Sequence, residues 1–411
     1  MSSIADVSLW PSGEQKIKWV EMNMPLLSAI KKDFEAEKPF SGLKITLSVH
    51  LEAKTAYLCR VLAAGGAEMH ITGSNPLSTQ DDVAAALVHG GLEVYAHHGA
   101  SDEQYFKDIR ESLSCSPEIV IDDGGDLVHM LHTELREMLP NVIGGCEETT
   151  TGIMRLRAMA KAGELKLPMV MVNEAQCKHL FDNRYGTGQS VWDGINRTTN
   201  LIVAGKRVVV AGYGWCGRGV AMRAKGLGAK VIVTEVDPVK AIEAHMDGFE
   251  VMTMDDASRL GDMFVTVTGC DGVISERHFK NMKSGAIMCN AGHFNVEIDM
   301  KRLSELAESE YEARHNIMGY VMPDGRELFV IAEGRLVNLA SGDGHPAEIM
   351  DMSFAIQALS ARYLAESRGT LKPGVVPVPE KIDSFVAAKK LETLGITIDT
   401  LTREQREYLG I

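Results

Sequence analysis

The chain has 411 residues, of which 45% are hydrophobic, and this is enough for two domains with separate cores. The net charge of −14 argues against non-specific nucleic-acid binding, and no stretch is apolar over the length of a membrane span. The seven cysteines form no CxxC pair and the N-terminus has no basic-then-apolar leader, so we expect reduced thiols, no metal site and a cytoplasmic protein.

The first part of the chain alternates strand-like and helix-like segments. Helical patterns at 54–66 and 81–91 separate strands that we predict for the apolar runs at 43–49, 68–74, 92–98 and 118–126. This alternation predicts a parallel sheet with helices on both faces. Because ligands bind at the carboxyl ends of such strands, we expect convergence of three residues that follow predicted strands: His50, Asn75 and Asp123.

The most informative motif lies at 206–237, where three valines lead into Gly212-Tyr213-Gly214-Trp215-Cys216-Gly217. Gly212 would allow a tight turn, Gly214 would let a pyrophosphate approach the backbone, and Gly217 would let helix and strand pack closely. A second apolar run ends in Glu235, about 20 residues further on, where a carboxylate accepts the ribose hydroxyls of NAD and repels the phosphate of NADP. The motif predicts bound NAD.

The motif lies in the middle of the chain, which indicates a cofactor domain inserted between two pieces of another domain. Further strand-like runs follow at 263–270 and 285–294. The segment 335–366 is typical of a return loop and a long helix, and 372–381 is interpreted as a proline-rich linker. The charged, amphipathic tail from 380 to 411 suits either an element packed on a neighbouring subunit or an ordinary surface helix.

Six motifs in one order give a resemblance to the S-adenosyl-L-homocysteine hydrolase family over essentially the whole chain. They are DDGGD (122–126), EETTTG (147–152), FDNRYG (181–186), AGYGWCGRG (211–219), NAGHF (290–294) and RLVNL…GHP (335–346). The resemblance implies an α/β protein with two doubly wound parallel-sheet domains, in which a Rossmann NAD domain (183–339) is inserted into a split substrate domain (1–182 and 340–375). A C-terminal segment (376–411) follows, and hinges are expected near 183–185 and 338–345.

In that family NAD stays bound and oxidises the ribose 3′-hydroxyl of the substrate to a ketone, which acidifies the 4′ C–H. Loss of that proton expels homocysteine as a thiol, water adds to the enone, and the electrons return from the cofactor. The net reaction is thioether hydrolysis, which explains why a hydrolase would contain a Rossmann unit.

The resemblance also implies site residues. The catalytic set is His50, Asp123, Lys178, Asp182, Asn183 and His293. The substrate-binding set is Glu52, Lys54, Thr55, Glu148, Asp343 and His345. The cofactor-binding set is Thr149, Thr150, Thr151, Asn173, Gly212, Gly214, Gly217, Glu235, Lys240, Thr268, Gly292 and Asn338. As a base, Lys178 would need a lowered pKa, which we expect from burial and nearby cations.

The base-recognition segment departs from the family pattern His-X-Thr-X-Glu, whose glutamate accepts from the 6-amino group of adenine. Here it is His50-Leu51-Glu52-Ala53-Lys54, and Asp343 stands where the family usually has methionine. A lysine ammonium only donates, so Lys54 suits the O6 of hypoxanthine, and Glu52 or Asp343 could accept from N1–H. This resembles the short branch of the family that hydrolyses S-inosyl-L-homocysteine. Alternatively, Lys54 is a solvated helix residue and the substrate is S-adenosyl-L-homocysteine.

Other departures concern the cofactor. The chain ends at Ile411, without the Lys and Tyr that the long form of the family places in a neighbouring subunit's NAD site. Lys240 replaces an asparagine near the adenosine ribose of NAD, and Thr187 replaces a cysteine near the nicotinamide. A homotetramer is still implied. The rival hypotheses are a non-catalytic NAD-binding regulator and an ordinary NAD-dependent hydroxyacid dehydrogenase.

Overall fold

A computed structural model describes residues 2–292 and 294–410. In chain order its strands are β1 (Ser3–Ile4), β2 (Lys44–Ser48), β3 (Glu68–Thr72), β4 (Glu93–Ala96), β5 (Ile119–Asp122), β6 (Gly144–Glu147), β7 (Pro168–Met171), β8 (Arg207–Ala211), β9 (Lys230–Thr234), β10 (Glu250–Val251), β11 (Met263–Thr266), β12 (Ala286–Asn290), β13 (Ser309–Arg314), β14 (Ile317–Val321), β15 (Glu327–Ile331) and β16 (Gly374–Pro377).

The helices are α1 (Trp10–Met22), α2 (Pro25–Glu37), α3 (Ala53–Ala64), α4 (Asp81–His89), α5 (Asp102–Leu113), α6 (Asp126–Thr133), α7 (Thr150–Lys161), α8 (Gln176–Lys178), α9 (Thr187–Thr199), α10 (Trp215–Gly226), α11 (Pro238–Met246), α12 (Met254–Leu260), α13 (Glu276–Phe279), α14 (Met300–Leu306), α15 (Val337–Ala340), α16 (Ala347–Glu366), α17 (Glu380–Thr393) and α18 (Arg403–Leu409). A π-helix, His179–Gly186, joins α8 to α9.

The first sheet has the order β1-β4-β3-β2-β5-β6-β7-β16, and its strand pairs are parallel. Successive side chains of a strand point to opposite faces. Accordingly, Ile119 and Ile121 of β5 lie in one buried cluster and Val120 lies in another, so both faces are covered. The strands predicted at 43–49, 68–74, 92–98 and 118–126 correspond to β2, β3, β4 and β5.

The prediction of a linker at 372–381 was wrong, because Gly374–Pro377 forms β16 and pairs in parallel with β7. Its prolines suggested a linker, since proline cannot donate to a strand ladder. However, β16 is the edge strand of its sheet, where one side of the ladder needs no partner.

The second sheet has the order β10-β9-β8-β11-β12-β15-β14-β13. The six strands β10, β9, β8, β11, β12 and β15 are parallel to their neighbours. The sheet continues with β14, which is antiparallel to β15, and with β13, which is antiparallel to β14. Val208 and Val210 lie in one core cluster and Val209 in another, so this sheet is also covered on both faces. The predicted fold class, with a Rossmann sheet between two parts of another parallel sheet, is confirmed.

The chain returns from the second sheet to the first through α16, a largely buried helix whose apolar residues belong to the first sheet's core. Helix α17 packs beside it and buries Ile382 and Val386, whereas the residues of α18 are exposed. None of the described helices combines the length and apolarity needed to cross a membrane.

Candidate functional site

Two of the three residues expected to converge are neighbours at the carboxyl ends of β2 and β5. The His50 Nε2 atom lies 3.6 Å from the Asp123 Oδ2 atom, and His50 Nδ1 lies 2.6 Å from Ser78 Oγ. Ser74 Oγ donates to Asp123 Oδ2 at 2.9 Å. The other carboxylate oxygen, Oδ1, is buried without a hydrogen-bond partner among the described residues, so it can accept from a ligand. Asn75 does not join them, because its side chain accepts from Leu77 N within its own turn.

The ends of β5 and β6 together carry four buried carboxyl groups, which we name the acidic edge: Asp122, Asp123, Glu147 and Glu148. Burial raises the pKa of Asp122 to about 7 and that of Glu147 well above its usual value. Burial also raises the pKa of Glu148 to about 7, although Lys178 opposes the shift. The pKa values of Asp122 and Glu148 lie where protonation changes with binding or with modest changes of pH.

Glu147 is one of the residues that sequence reasoning missed. Its Oε1 atom accepts from Gly124 N and Thr149 N, both at 2.9 Å, and from Thr149 Oγ1 at 2.8 Å. It therefore ties the loop after β5 to the loop after β6. The adjacent pair of glutamates in EETTTG was the available signal, but it does not reveal which one points into the site.

Lys178 and Asp182 form a buried ion pair across the junction of α8 and the π-helix. The Lys178 Nζ atom lies 2.9 Å from Asp182 Oδ2 and 3.6 Å from Glu148 Oε1. It also donates to Asn183 Oδ1 at 2.8 Å and to Asn173 Oδ1 at 3.0 Å. Five of the residues expected from separate motifs are thus brought together. Widened π turns of this kind are frequent at functional sites.

The expected lowering of the Lys178 pKa was wrong for this arrangement. Burial by itself lowers the pKa of Lys178, but the carboxylates of Asp182 and Glu148 outweigh burial and raise it above its usual value. We expected cations beside Lys178, whereas its charged neighbours are the carboxylates of Asp182 and Glu148. For Asp182, burial favours a higher pKa, but Lys178 and His345 overcome it and hold the pKa well below the usual range.

Two residues of α16 that sequence reasoning missed hold the carboxylates in place. Ser353 Oγ donates to Asp182 Oδ2 at 2.9 Å, and Gln357 Nε2 donates to Glu148 Oε2 at 2.5 Å. His345 contacts Asp182 through Nδ1, and its Nε2 lies 3.2 Å from Thr187 Oγ1. The buried polar positions of α16 offered a signal, since polar side chains are rarely buried without a partner.

Two of the residues predicted to recognise the base, Glu52 and Lys54, are buried together, so Lys54 is not a solvated helix residue. Lys54 and Glu52 are each 6% exposed, and their Nζ and Oε2 atoms are 2.7 Å apart. Lys54 Nζ donates to the backbone oxygen of Asp343 at 2.9 Å, while the Asp343 side chain is exposed. Glu52 also accepts from Lys54 N and so caps α3. Thr55 Oγ1 donates to His50 O at 2.7 Å.

The glycine-rich turn between β8 and α10 has the geometry of a phosphate-binding turn. Gly212 has a φ of +104°, which side chains rarely adopt. A Cβ atom at Gly217 would lie 2.0 Å from Gly212 O, so helix and strand are too close for any other residue. A Cβ at Gly214 would meet no atom within 4 Å, so open space lies beside the backbone there. We name these three residues the glycine edge.

Two more of the predicted cofactor residues, Glu235 and Asn338, have contacts that fit NAD. Glu235, at the end of β9, accepts from Tyr213 N at 2.7 Å, which fixes its carboxylate beside the turn. Asn338 is buried, donates to Ser190 Oγ at 3.2 Å, and has an Oδ1 atom without a partner in the described part of the chain. Such an orphaned acceptor is suited to a polar group of a ligand, for example a carboxamide.

Most of the remaining predicted residues are in three places. Asn173 Nδ2 donates to Thr150 Oγ1 at 2.9 Å, which links the lysine cluster to the threonines Thr149, Thr150 and Thr151 at the start of α7. The Thr268 backbone N–H and hydroxyl both donate to the buried carboxylate of Glu297, a further residue that the sequence did not suggest. Gly292 packs on the same carboxylate, since a Cβ atom there would lie 1.9 Å from Glu297 Oε1. His293 lies outside the described residues.

Comparison with known proteins agrees with this geometry. The family model described as "S-adenosyl-L-homocysteine hydrolase" matches residues 1–143, and the model described as "S-adenosyl-L-homocysteine hydrolase, NAD binding domain" matches residues 183–344. The second match covers the glycine edge and its surroundings, and it identifies the cofactor as NAD.

Several relatives match along their whole length. The chain is 56% identical over 409 residues to the S-inosyl-L-homocysteine hydrolase of Methanocaldococcus jannaschii, covering 100% of this chain and 98% of that protein. It is 58% identical over 407 residues to the protein of that name from Methanosarcina acetivorans, covering 99% and 98%. It is 57% identical over 406 residues to the adenosylhomocysteinase of Thermococcus kodakarensis, covering 99% and 96%. The chain therefore belongs to the S-adenosyl-L-homocysteine hydrolase family.

Proposed function

We propose that the chain catalyses the reversible hydrolysis of S-inosyl-L-homocysteine to inosine and L-homocysteine, and so serves the methyl cycle that regenerates S-adenosylmethionine. The observation that carries the choice of base is the buried Lys54–Glu52 pair. An ammonium has three N–H donors, and Glu52 Oε2 and Asp343 O take two of them, which leaves one for the O6 of hypoxanthine. Glu52 has a second oxygen with which to accept from N1–H.

The lysine cluster supports chemistry at the ribose. Bound NAD supplies a reversible two-electron oxidation of the 3′-hydroxyl. Lys178 is the base for the proton of that hydroxyl, and Asp182 and Glu148 accept from the ribose hydroxyls. Hydroxyls that donate to these two carboxylates weaken their hold on the Lys178 proton, which lowers the pKa of the lysine when substrate is bound. Asn173 and Asn183 align the ammonium through their oxygens.

The acidic edge supports chemistry at the neighbouring carbons. Asp123 and His50 lie at the 4′ and 5′ positions in this proposal, where a proton leaves, the thiol departs and water enters. The unpartnered Oδ1 of Asp123 is available to the substrate, and Ser78 fixes the orientation of the His50 ring. His293 is assigned to the homocysteine end by resemblance.

The domain boundaries follow from the same proposal. Residues 1–182 and 340–375 form the substrate domain, residues 183–339 the NAD domain and residues 376–411 the C-terminal segment. Hinges near 183–185 and 338–345 would close the two domains over the substrate and exclude water from the ketone. The contact of His345 with both Asp182 and Thr187 supports this, because it links the second hinge to residues on both sides of the first.

We also propose a cytoplasmic homotetramer. Its support is the set of large apolar side chains that this chain leaves exposed, which include Trp19, Met22, Met246 and Tyr408, together with seven free thiols. Light scattering after size-exclusion chromatography measures the mass directly, and a monomer would contradict the proposal.

The experiment that tests the base is thiol release measured side by side with S-inosyl- and S-adenosyl-L-homocysteine. We expect the inosyl compound to have the higher kcat/KM. A single unpaired buried polar group costs about 1–3 kcal/mol, so Lys54→Glu should shift the preference about tenfold or more toward the adenosyl compound. Lys107→Glu makes the same charge change on an exposed helix surface and should leave the preference unchanged. An adenosyl preference in the unmodified enzyme, or no shift in Lys54→Glu, would remove Lys54 from base recognition.

A further inference from the structure

The C-terminal helix α17 touches the segment that carries Lys178. The Asp383 carboxylate accepts from Gln176 N at 2.5 Å through one oxygen and from Cys177 N at 2.8 Å through the other. Cys177 Sγ also donates to Asp383 O at 3.5 Å. Helix α8 starts after Ala175, which provides no side-chain cap. The first N–H groups of a helix need acceptors from outside it, and here Asp383 supplies them from a distant part of the chain.

Helix α17 is itself firmly placed. Ile382 and Val386 are buried in the core cluster that also contains Ala175 and Cys177. One helical turn beyond Val386, Lys390 Nζ lies 2.8 Å from Asp351 of α16. The core contacts of Ile382 and Val386 and the ion pair of Lys390 therefore fix α17. The Asp383 carboxylate on α17 can in turn fix the start of α8, which it caps.

We propose that Asp383 is a positioning residue that acts through Lys178, an inference that rests on the role of Lys178 in the proposed function. Lys178 directly follows Gln176 and Cys177, the two residues whose N–H groups donate hydrogen bonds to Asp383. Its ammonium must meet Asp182, Asn183 and Asn173 at about 3 Å simultaneously. Loss of the cap releases the first turn of the helix, so the ammonium no longer stays at the distance from the 3′-hydroxyl that proton transfer requires.

The test is Asp383→Asn in the full-length chain with its bound NAD. A misplacement of about 1 Å can cost about 10²-fold in rate, so we expect kcat to fall about tenfold to 10²-fold. KM should change less than about threefold, because Lys178 does not provide the main binding contacts of the base. The reduction of bound NAD on mixing with inosine, followed by absorbance, should slow by the same factor as kcat. Asp383→Asn still offers one acceptor oxygen, whereas Asp383→Ala removes both, so Asp383→Ala should lower kcat at least as far as Asp383→Asn does.

A control and two outcomes make the test decisive. Glu392→Gln removes an exposed carboxylate from the same helix, where it contacts only Lys389 among the described side chains, and should leave kcat unchanged. A lower melting temperature for Asp383→Asn and Asp383→Ala with unchanged kcat would overturn the proposal and leave Asp383 as a structural cap. Lys178→Met separates this failure from that of the proposed function: if Lys178→Met keeps full turnover, the role of the lysine is wrong, whatever Asp383→Asn does.

Discussion

The acidic edge and the glycine edge both lie at the carboxyl ends of parallel strands, one in each sheet. The first consists of carboxyl side chains and the second of backbone without side chains. At the acidic edge, four carboxyl groups are withdrawn from water at the ends of two adjacent strands. At the glycine edge, side chains are absent where the ligand is expected, and the backbone of a tight turn is presented instead. One edge therefore works through groups that titrate, and the other through groups that do not.

This difference predicts different vulnerabilities. Backbone N–H groups keep their hydrogen-bonding capacity at every pH, but they need a backbone conformation that a single methyl group can abolish. Buried carboxyl groups tolerate small changes of shape, but their charge depends on pH and on each neighbouring hydrogen bond. Cofactor binding should thus be sterically fragile and insensitive to pH, while turnover should be sensitive to pH.

The largest effect should come from a methyl group at the glycine edge. In Gly217→Ala the new Cβ would lie 2.0 Å from Gly212 O, so the turn must open, and we expect the purified protein to lose its NAD. The measurement is the NAD released by denaturation after exhaustive dialysis, at several pH values. Gly226→Ala is the matched control, since it lies in the same helix and its Cβ would meet nothing within 4 Å. Full NAD occupancy in Gly217→Ala would contradict the steric argument.

A smaller effect should appear at the acidic edge as a shift of the pH profile. In the proposed function Glu148 accepts from ribose hydroxyls when ionised, and burial raises its pKa to about 7, so kcat/KM should rise as the pH increases through about 7. Gln357 donates to the ionised carboxylate and thereby lowers its pKa. Gln357→Met removes that donor. The rise of kcat/KM at low pH, which we call the acidic limb, should then move upward by about one pH unit, and a pKa shift of that size corresponds to about 1.4 kcal/mol.

The control for this shift is Ser353→Ala, on the same face of α16. Ser353 donates to Asp182, whose pKa is held far below the assay range, so its loss should not move the limb near pH 7. NAD retention should stay constant over the same pH range in all three proteins. An acidic limb that stays in place in Gln357→Met would assign it to another group, of which Asp122 is the first candidate because its pKa is also about 7.

The comparison also shows what could be predicted from the sequence. The glycine edge depends on residues close together in the chain, so the spacing of Gly212, Gly214 and Gly217 was sufficient. The acidic edge could be predicted only as a set of strand ends, because the alternating pattern implies parallel strands whose carboxyl ends lie at one edge of the sheet. Gln357, which donates to Glu148 of the acidic edge, lies 209 residues away in sequence, and only the folded chain brings the two side chains together. Asp182 and Glu148 were predicted site residues, but the sequence did not reveal that both carboxylates would surround the Lys178 ammonium.

The smallest effect concerns Lys240, which we expect beside the adenosine ribose of NAD. Its Nζ lies 3.6 Å from Asp237 Oδ2, and both side chains are more than 40% exposed. Exposed ion pairs contribute about 0–1 kcal/mol, so Lys240→Asn should change NAD affinity less than about fivefold. Glu235, whose carboxylate is fixed by the Tyr213, Val236 and Asp237 N–H groups, should keep NADP excluded in the variant. Calorimetric titration of NAD-free protein with each dinucleotide measures both effects. A larger loss of NAD affinity, or NADP binding in the unmodified protein, would mean that the glycine edge depends on a charged side chain after all, and the contrast between the two edges would then fail.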